Sequence, residues 1–172
     1  MPNASLPAFA GPYDLLAPPA DPDVLDVPLQ PQSQPNWCWA AVAASIVTYA
    51  AGRPPPKGHG TPTDQVTLAN GYGGLDACGD LYTALDQYKC LASGPMAPPQ
   101  FHDIADQIGD GNPVCARIAT AEGHFVIISG CGSNPEEEVY ISDPAQAFGG
   151  WHSYAAITSA AVNCLDQIYF TK

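Results

Sequence analysis

The sequence predicts an α+β fold, with helices in the first part of the chain and an antiparallel sheet in the second. Two observations carry this. Between about residues 37 and 108 apolar side chains recur at helical spacing, whereas from Gly109 onward short alternating or wholly apolar runs are separated by turn residues. Elements segregated in this way, rather than alternating strand and helix, indicate α+β. Sharp Gly/Pro punctuation between the runs supports the same division, and no internal repeat is present.

The elements follow in order. Residues 1–27 hold Pro2, Pro7, Pro12, Pro18, Pro19 and Pro22. Proline removes backbone donors and disfavours helix in the residue before it, so this arm is expected to be extended or disordered, a passive leader in preference to a propeptide or export tag. The domain proper is expected over 28–172. Asn36 is a candidate N-cap for a helix from Trp37 to about Ala51, ended by Gly52 and Pro54-Pro55-Pro56. Val42, Ile46 and Tyr49 share one face and alanines fill the rest, which makes the helix central and buried. Thr61-Pro62 opens a second helix through Leu68, closed by Asn70-Gly71. A third fits roughly Asp80 to Leu91. A fourth runs from about Pro99 to Ile108, with Phe101, Ile104, Ala105 and Ile108 facing inward.

Strands come next. Pro113 to Ala119 alternates with Val114, Ala116 and Ile118 on one face. Gly123-His124 leads into Phe125-Val126-Ile127-Ile128, apolar on both faces and therefore a central strand. Gly130 to Pro135 reads as a turn, Val139 to Ile141 as its partner strand ending at Asp143-Pro144, and Gln167 to Phe170 as the closing strand.

Composition narrows the function. The chain has 172 residues, enough for one domain with a real core, and its 17 acids against 5 bases give a net charge of -12. That balance excludes nucleic acid or an anionic membrane as the main partner. No run of about 18 apolar residues predicts a membrane span. The N-terminus lacks the basic start and apolar core of a signal peptide. None of the cysteines shows zinc spacing, so neither metal nor cofactor is expected. One or two disulfides are expected among Cys78, Cys90, Cys115, Cys131 and Cys164, with Cys131 or Cys115 to Cys164 as one candidate; the sequence leaves the pairing open.

The chemistry gathers around Cys38, which stands between Trp37 and Trp39 at the head of the apolar helix. At such a place backbone N–H groups and the helix dipole favour a thiolate. A thiol nucleophile needs a base, an orienter for that base and donors for the oxyanion. His124 opens the most apolar strand, where an imidazole is costly unless its polar tip is used. The other histidines stand elsewhere: His59 in a Gly/Pro loop, His102 near a helix start and His152 in a turn-rich stretch. Asp143 ends the neighbouring strand, so hairpin pairing brings His124 and Asp143 to the same end of the sheet. Gln32, six residues before Cys38, could donate to an oxyanion beside the Cys38 N–H, with Gln34 as the fallback.

Together these residues resemble a known family. Gln32-Ser-Gln-Pro-Asn-Trp-Cys38-Trp39-Ala40-Ala41 is similar to the active-site segment of papain-like cysteine peptidases. The likeness is to the compact bacterial branch, which includes effector proteases and the bacteriocin-leader peptidase domains of ABC exporters. It continues through Asp64-Gln65-Val66 to Gly73-Gly74, then Ile104 to Val114, Gly123 to Gly130 and Val139 to Pro144, covering about residues 28–158 in the order Cys, His, Asp. Three departures from plant and lysosomal papains fit that branch. Asn36-Trp37 replaces Cys-Gly-Ser, the gap from Cys38 to His124 is 86 residues against the ~130–150 of those enzymes, and Asp143 replaces asparagine.

The resemblance implies Cys38 as nucleophile, His124 as general base, Asp143 as its orienter and Gln32 as oxyanion donor. The implied activity is peptide hydrolysis through a thioester, in a protein secreted or delivered into a target cell as an effector or toxin. Its expected partners are a protein or peptide substrate and an inhibitor or immunity protein. Two other readings keep the same residues. One is acyl transfer on glutamine side chains (deamidase or transglutaminase) or on cell-wall peptides; the other is an inactive papain-like binding module. The acidic surface disfavours an anionic wall, and inactive modules typically lose the nucleophile that this chain retains.

Overall fold

The computed structural model describes residues 16–53, 63–74, 76–146, 148–159 and 163–172. The expected α+β order is present. Strand β1 (Asp23–Val24) precedes helices α1 (Cys38–Ala51), α2 (Gln65–Gly71) and α3 (Leu81–Gln87). Then come β2 (Leu91–Met96), α4 (Phe101–Gly109), β3 (Val114–Ile118), β4 (His124–Gly132), β5 (Glu138–Asp143), β6 (Phe148–Ser153), α5 (Tyr154–Ser159) and β7 (Leu165–Thr171). The seven-stranded sheet has the order β2-β7-β3-β4-β5-β6, with β1 added on β4. All of its pairings are antiparallel.

The sheet separates two apolar cores, because alternate side chains of a strand face opposite sides. One core joins α1, α2 and α3 to Cys115, Ile127 and Tyr169. The other joins Phe101, Ile104 and Ile108 of α4 and Tyr154 and Ile157 of α5 to Val114, Ala116, Val126, Ile128 and Ile168. Neighbours in sequence, such as Ile127 and Ile128, thus serve opposite cores. Both are fully buried, each contributing about 1.5–3 kcal/mol relative to exposure.

Helix α1 lies inside the first core, with residues Cys38 to Val47 and Ala50 all buried. Its one polar buried side chain is satisfied twice: Ser45 Oγ donates to Ala41 O at 2.7 Å and accepts from Gln30 N at 2.9 Å. That second bond anchors the chain leading to Cys38.

Several expectations are corrected. The N-cap of α1 is Trp37 and makes no side-chain cap bond; Asn36 instead directs its amide to Asp76 O at 3.3 Å. The third helix stops at Gln87 because the chain turns at Lys89, whose φ is 61°, and Leu91–Met96 forms an edge strand on β7. The turn expected at Gly130 begins later, since β4 runs on through Gly132 beside β1 and β5. His152 lies buried in β6 rather than in a turn. Thr61-Pro62 and His59 fall outside the described residues.

The disulfide expectation also fails, since all six cysteines are free. Cys115 faces the first core and Cys131 the second. Cys164 lies beside Ala119, whereas the β3–β7 register sets Cys115 opposite Tyr169, at the far end of β7.

Residues 16–27 of the proline-rich arm lie along the sheet. Leu16 bridges Trp151 of β6, Ala20 N donates to Asn134 O at 2.9 Å, and Asp21 accepts from Ser133 and Asn134.

Candidate active site

Cys38 is the first residue of α1 and is buried among its neighbours. The loop before it is held by side chains from distant parts of the chain. Gln65, the first residue of α2, brackets position 32: its Oε1 accepts from Ser33 N at 2.8 Å and its Nε2 donates to Pro31 O at 2.6 Å. Gln30 Nε2 donates to Thr63 O at 2.9 Å, and its Oε1 accepts from Gln65 N at 3.1 Å. On the other side Asp76 Oδ1 accepts from Asn36 N at 2.9 Å, and Trp39 Nε1 donates to Ala77 O at 3.2 Å. Gly79 permits this seating. A Cβ there would stand 2.2 Å from the Trp39 ring.

The sheet supplies the second wall. Ile118 pairs with His124 at the start of β4, and Ser142 pairs with Ile127, so the beginning of β4 and the end of β5 meet. His124 is reached through Gly123, whose φ of 76° favours glycine and whose missing Cβ leaves room for the Arg117 guanidinium. Arg117 itself pairs with Asp166.

The two walls meet at His124. Its Nε2 donates to Asp143 Oδ1 at 2.7 Å, and it also shares a hydrogen bond with the Cys38 thiol. Because Nε2 is taken by Asp143, Nδ1 is the nitrogen left for Cys38. Burial, the strongest single influence, pulls the imidazole pKa down. Hydrogen bonds to Asp143 and Cys38, together with their charges, outweigh it and raise the pKa to about 9. The arrangement therefore favours the protonated imidazole.

Asp143 is buried, at 4% exposure. A buried carboxylate is costly without donors, and three are present. Oδ1 accepts from Ala145 N at 2.8 Å as well as from His124, and Oδ2 accepts from Gln146 Nε2 at 3.2 Å.

Sequence-predicted Cys38, His124 and Asp143 thus stand in one contiguous set. Gln32 is joined to it through its backbone, Gln32 N donating to Pro144 O at 2.9 Å. Its side chain is otherwise engaged. Nε2 donates to Gln34 O at 3.1 Å and Pro35 O at 2.9 Å, so neither amide hydrogen is free for an oxyanion in this conformation. Gln34 is exposed and enters through its carbonyl, which also accepts from Trp37 N at 3.2 Å. His102 is remote on α4, beside Asp103. Among the described residues, no cluster of three or more His, Cys, Asp or Glu gathers to hold a metal. Among them too, no helix is long and apolar enough to cross a membrane.

Sequence reasoning missed four neighbours. Gln146 carried a signal in retrospect, since Asp143-Pro-Ala-Gln146 is a turn in which position four can reach back to position one. Gln65 lay within the resembling segment without a role. Asp76 and Cys78 carried no signal. The Cys78 thiol is raised by burial first, then by charge on Cys38, Glu122 and Asp76, against a lowering backbone bond. It accordingly lies within electrostatic reach of the nucleophile candidate.

A family model described as Peptidase_C39 like family matches residues 24–170. A search of curated proteins returns no match. The matched span runs from Val24, the end of β1, to Phe170 in β7 and includes both walls of the site. The chain belongs to the Peptidase_C39 like family, and with it to the papain-like cysteine peptidases.

Proposed function

We propose that this protein hydrolyses peptide bonds with Cys38 as nucleophile, His124 as acid and base, and Asp143 as the orienter of His124. The observation that carries the reading is the imidazole held between a carboxylate at 2.7 Å and the thiol at the head of α1. Cys38 as thiolate attacks the scissile carbonyl carbon, and the carbonyl π electrons move to oxygen. The oxyanion is met by the Cys38 N–H, since the first turn of α1 has no side-chain cap to occupy its donors. His124 then gives its Nδ1 proton to the departing amine as the C–N bond breaks, leaving a thioester. Water attacks the thioester, His124 takes the water's proton, and the C–S bond breaks to release the acid and return the ion pair. Asp143 keeps Nε2–H pointed away from the thiol throughout.

Gln32 enters this reading as a conditional donor. Its amide reaches the oxyanion only after leaving the Gln34 and Pro35 carbonyls, a change that substrate docking on the loop would drive.

The substrate class is a protein or peptide. Export or delivery into a target cell, as an effector or toxin, completes the reading and rests on the sequence resemblance. Free thiols throughout the chain suit a final compartment that is reducing. Cleavage-site proteomics on cells or lysates treated with wild type and Cys38→Ala is the test. New termini present only with wild type are expected. Termini that persist with Cys38→Ala would sink the proposal, and a one-dalton gain without new termini would replace hydrolysis by glutamine deamidation. Recovery of the tagged protein from culture medium or recipient cells checks delivery.

A further inference from the structure

We infer that Gln146 is a positioning residue of the active site, fixing the rotation of the Asp143 carboxylate so that Oδ1 faces His124. This rests on the proposed roles of Cys38, His124 and Asp143, and goes beyond them in naming what sets the orienter itself.

The turn after β5 is built around one carboxylate. Gln146 N donates to Asp143 O at 3.2 Å and closes the turn. Within it, Ala145 N donates to Oδ1 at 2.8 Å and Gln146 Nε2 to Oδ2 at 3.2 Å. A carboxylate has one free torsion, and donors on two different oxygens fix it. The backbone donor and His124 share Oδ1. Gln146 is the donor to Oδ2 among the described residues. The orientation of its amide is not arbitrary either. Only Nε2 can bond a carboxylate oxygen, because both groups would otherwise be acceptors.

Without Gln146, Oδ2 is a buried acceptor with no donor, and rotation to seek one carries Oδ1 off the line to Nε2. The His124–Asp143 bond then lengthens and the imidazolium is less favoured. Gln146 reaches His124 through the Asp143 carboxylate that both side chains bond, so its effect on proton affinity at His124 runs through that one group. Gln146 also acts beside the oxyanion loop, since Pro144 O of the same turn receives Gln32 N at 2.9 Å.

The test uses iodoacetamide as the thiol probe, so no substrate need be known. Cys38 alkylation is followed by mass spectrometry from pH 5 to 10 in wild type, Gln146→Met, Gln146→Asn and Asp143→Ala. Methionine keeps the reach and loses the donor, while asparagine keeps the donor and loses the reach. Both are expected to move the acid limit of alkylation upward by about 0.5–1 pH unit, or ~3–10-fold in rate on its acid side, because a less favoured imidazolium holds less thiolate beside it and each unit is tenfold in proton binding. In the same variants the low-field NMR proton of the His124 Nε2–H is expected to broaden or vanish, with melting temperatures close to wild type. A lowered melting temperature with an unmoved limit would make Gln146 merely structural and overturn the inference. So would unmoved limits and an intact low-field proton in both variants while Asp143→Ala shifts. If Asp143→Ala also leaves the limit unmoved, the triad reading fails rather than the role of Gln146. Should Gln146→Met not fold, Gln146→Asn decides alone.

Discussion

The two walls of the site are held in place by different means. His124 and Asp143 are set by backbone register, the ladder of β3, β4 and β5 placing one at a strand start and the other at a strand end. Cys38 begins a buried helix, but the loop that delivers it is held by side chains: Gln65 on residues 31 and 33, Asp76 on Asn36, and Ser45 on Gln30. A backbone ladder survives most single substitutions because each rung is independent of the side chain. A side-chain lattice does not, because each bond has one donor and one acceptor. The sheet wall should therefore fail chemically when altered, with its fold intact, and, Cys38 itself apart, the helical wall should fail structurally.

The largest effect is expected on the sheet wall. Asp143→Asn removes the charge that holds the His124 imidazolium and should lower hydrolysis on the order of 10²–10⁴-fold, within the range of general acid–base contributions. The pH sign follows from His124. Its pKa rises from 6.5 to about 9 in the fold, so the imidazolium and the stability it confers are fully present below 6.5 and are lost as pH rises through about 9. Hydrolysis by the wild type should decline above pH about 9, as His124 loses the proton it gives the departing amine, and in Asp143→Asn the decline should begin nearer 6.5. Melting curves at pH 6 and pH 9 should show the wild type losing more stability on the alkaline step than the variant. An unchanged alkaline limit in the variant would break the comparison at its strongest point.

The same contrast explains what could be read from the sequence. The sheet wall was legible: strict alternation in Val114 to Ile118 and the apolar run after His124 defined strands, and pairing them brought His124 and Asp143 to one end. The position of Cys38 at a helix start was legible too, from the alanine-rich run behind it. What was hidden lay in long-range side-chain bonds. Asp76 and Gly79 act on Asn36 and Trp39 across some 40 residues, and no local pattern announces that. The Asn36 cap expectation failed for this reason, since Asp76 takes its backbone N–H and Asp76 O takes its side chain. Strands β2 and β6 were hidden differently. β2 carries Gly94 and Pro95 with register shifts, and β6 carries Gly149 and Gly150, so neither shows the β-branched alternation of a strand.

On the helical wall, Gly79→Ala is the next largest effect. The new methyl group would overlap the Trp39 ring, with its Cβ 2.2 Å from the nearest ring atom, and the indole is locked by its bond to Ala77 O and its edge contact with Tyr72. Overpacking against a rigid group should cost about 1–3 kcal/mol. Thermal or urea unfolding checks this, and the Trp fluorescence of the folded state should shift. A smaller loss is expected for Gln65→Ala, about 1 kcal/mol, because water can reach part of the Ser33 and Pro31 groups it frees. Faster hydrogen exchange at Ser33 N, with the exchange of β4 unchanged, would localise the damage to the loop.

Gln32 stands where the two walls join, and its substitution tests whether the loop before Cys38 takes part in chemistry as well as holding Cys38 in place. Its backbone is tied to the sheet wall through Pro144 O, while its amide is tied to its own loop at Gln34 O and Pro35 O. A preorganised oxyanion donor would contribute 10²–10³-fold to kcat. A donor that must first leave two carbonyls contributes less, so Gln32→Ala should lower kcat about 10-fold, leave KM near wild type, and leave the iodoacetamide rate at Cys38 unchanged because alkylation forms no oxyanion. A loss of both rates together would mean that Gln32 holds the loop and the Cys38 N–H alone serves the oxyanion. A 10³-fold loss confined to kcat would mean that the amide swings free at little cost, and the helical wall would then be as chemically committed as the sheet.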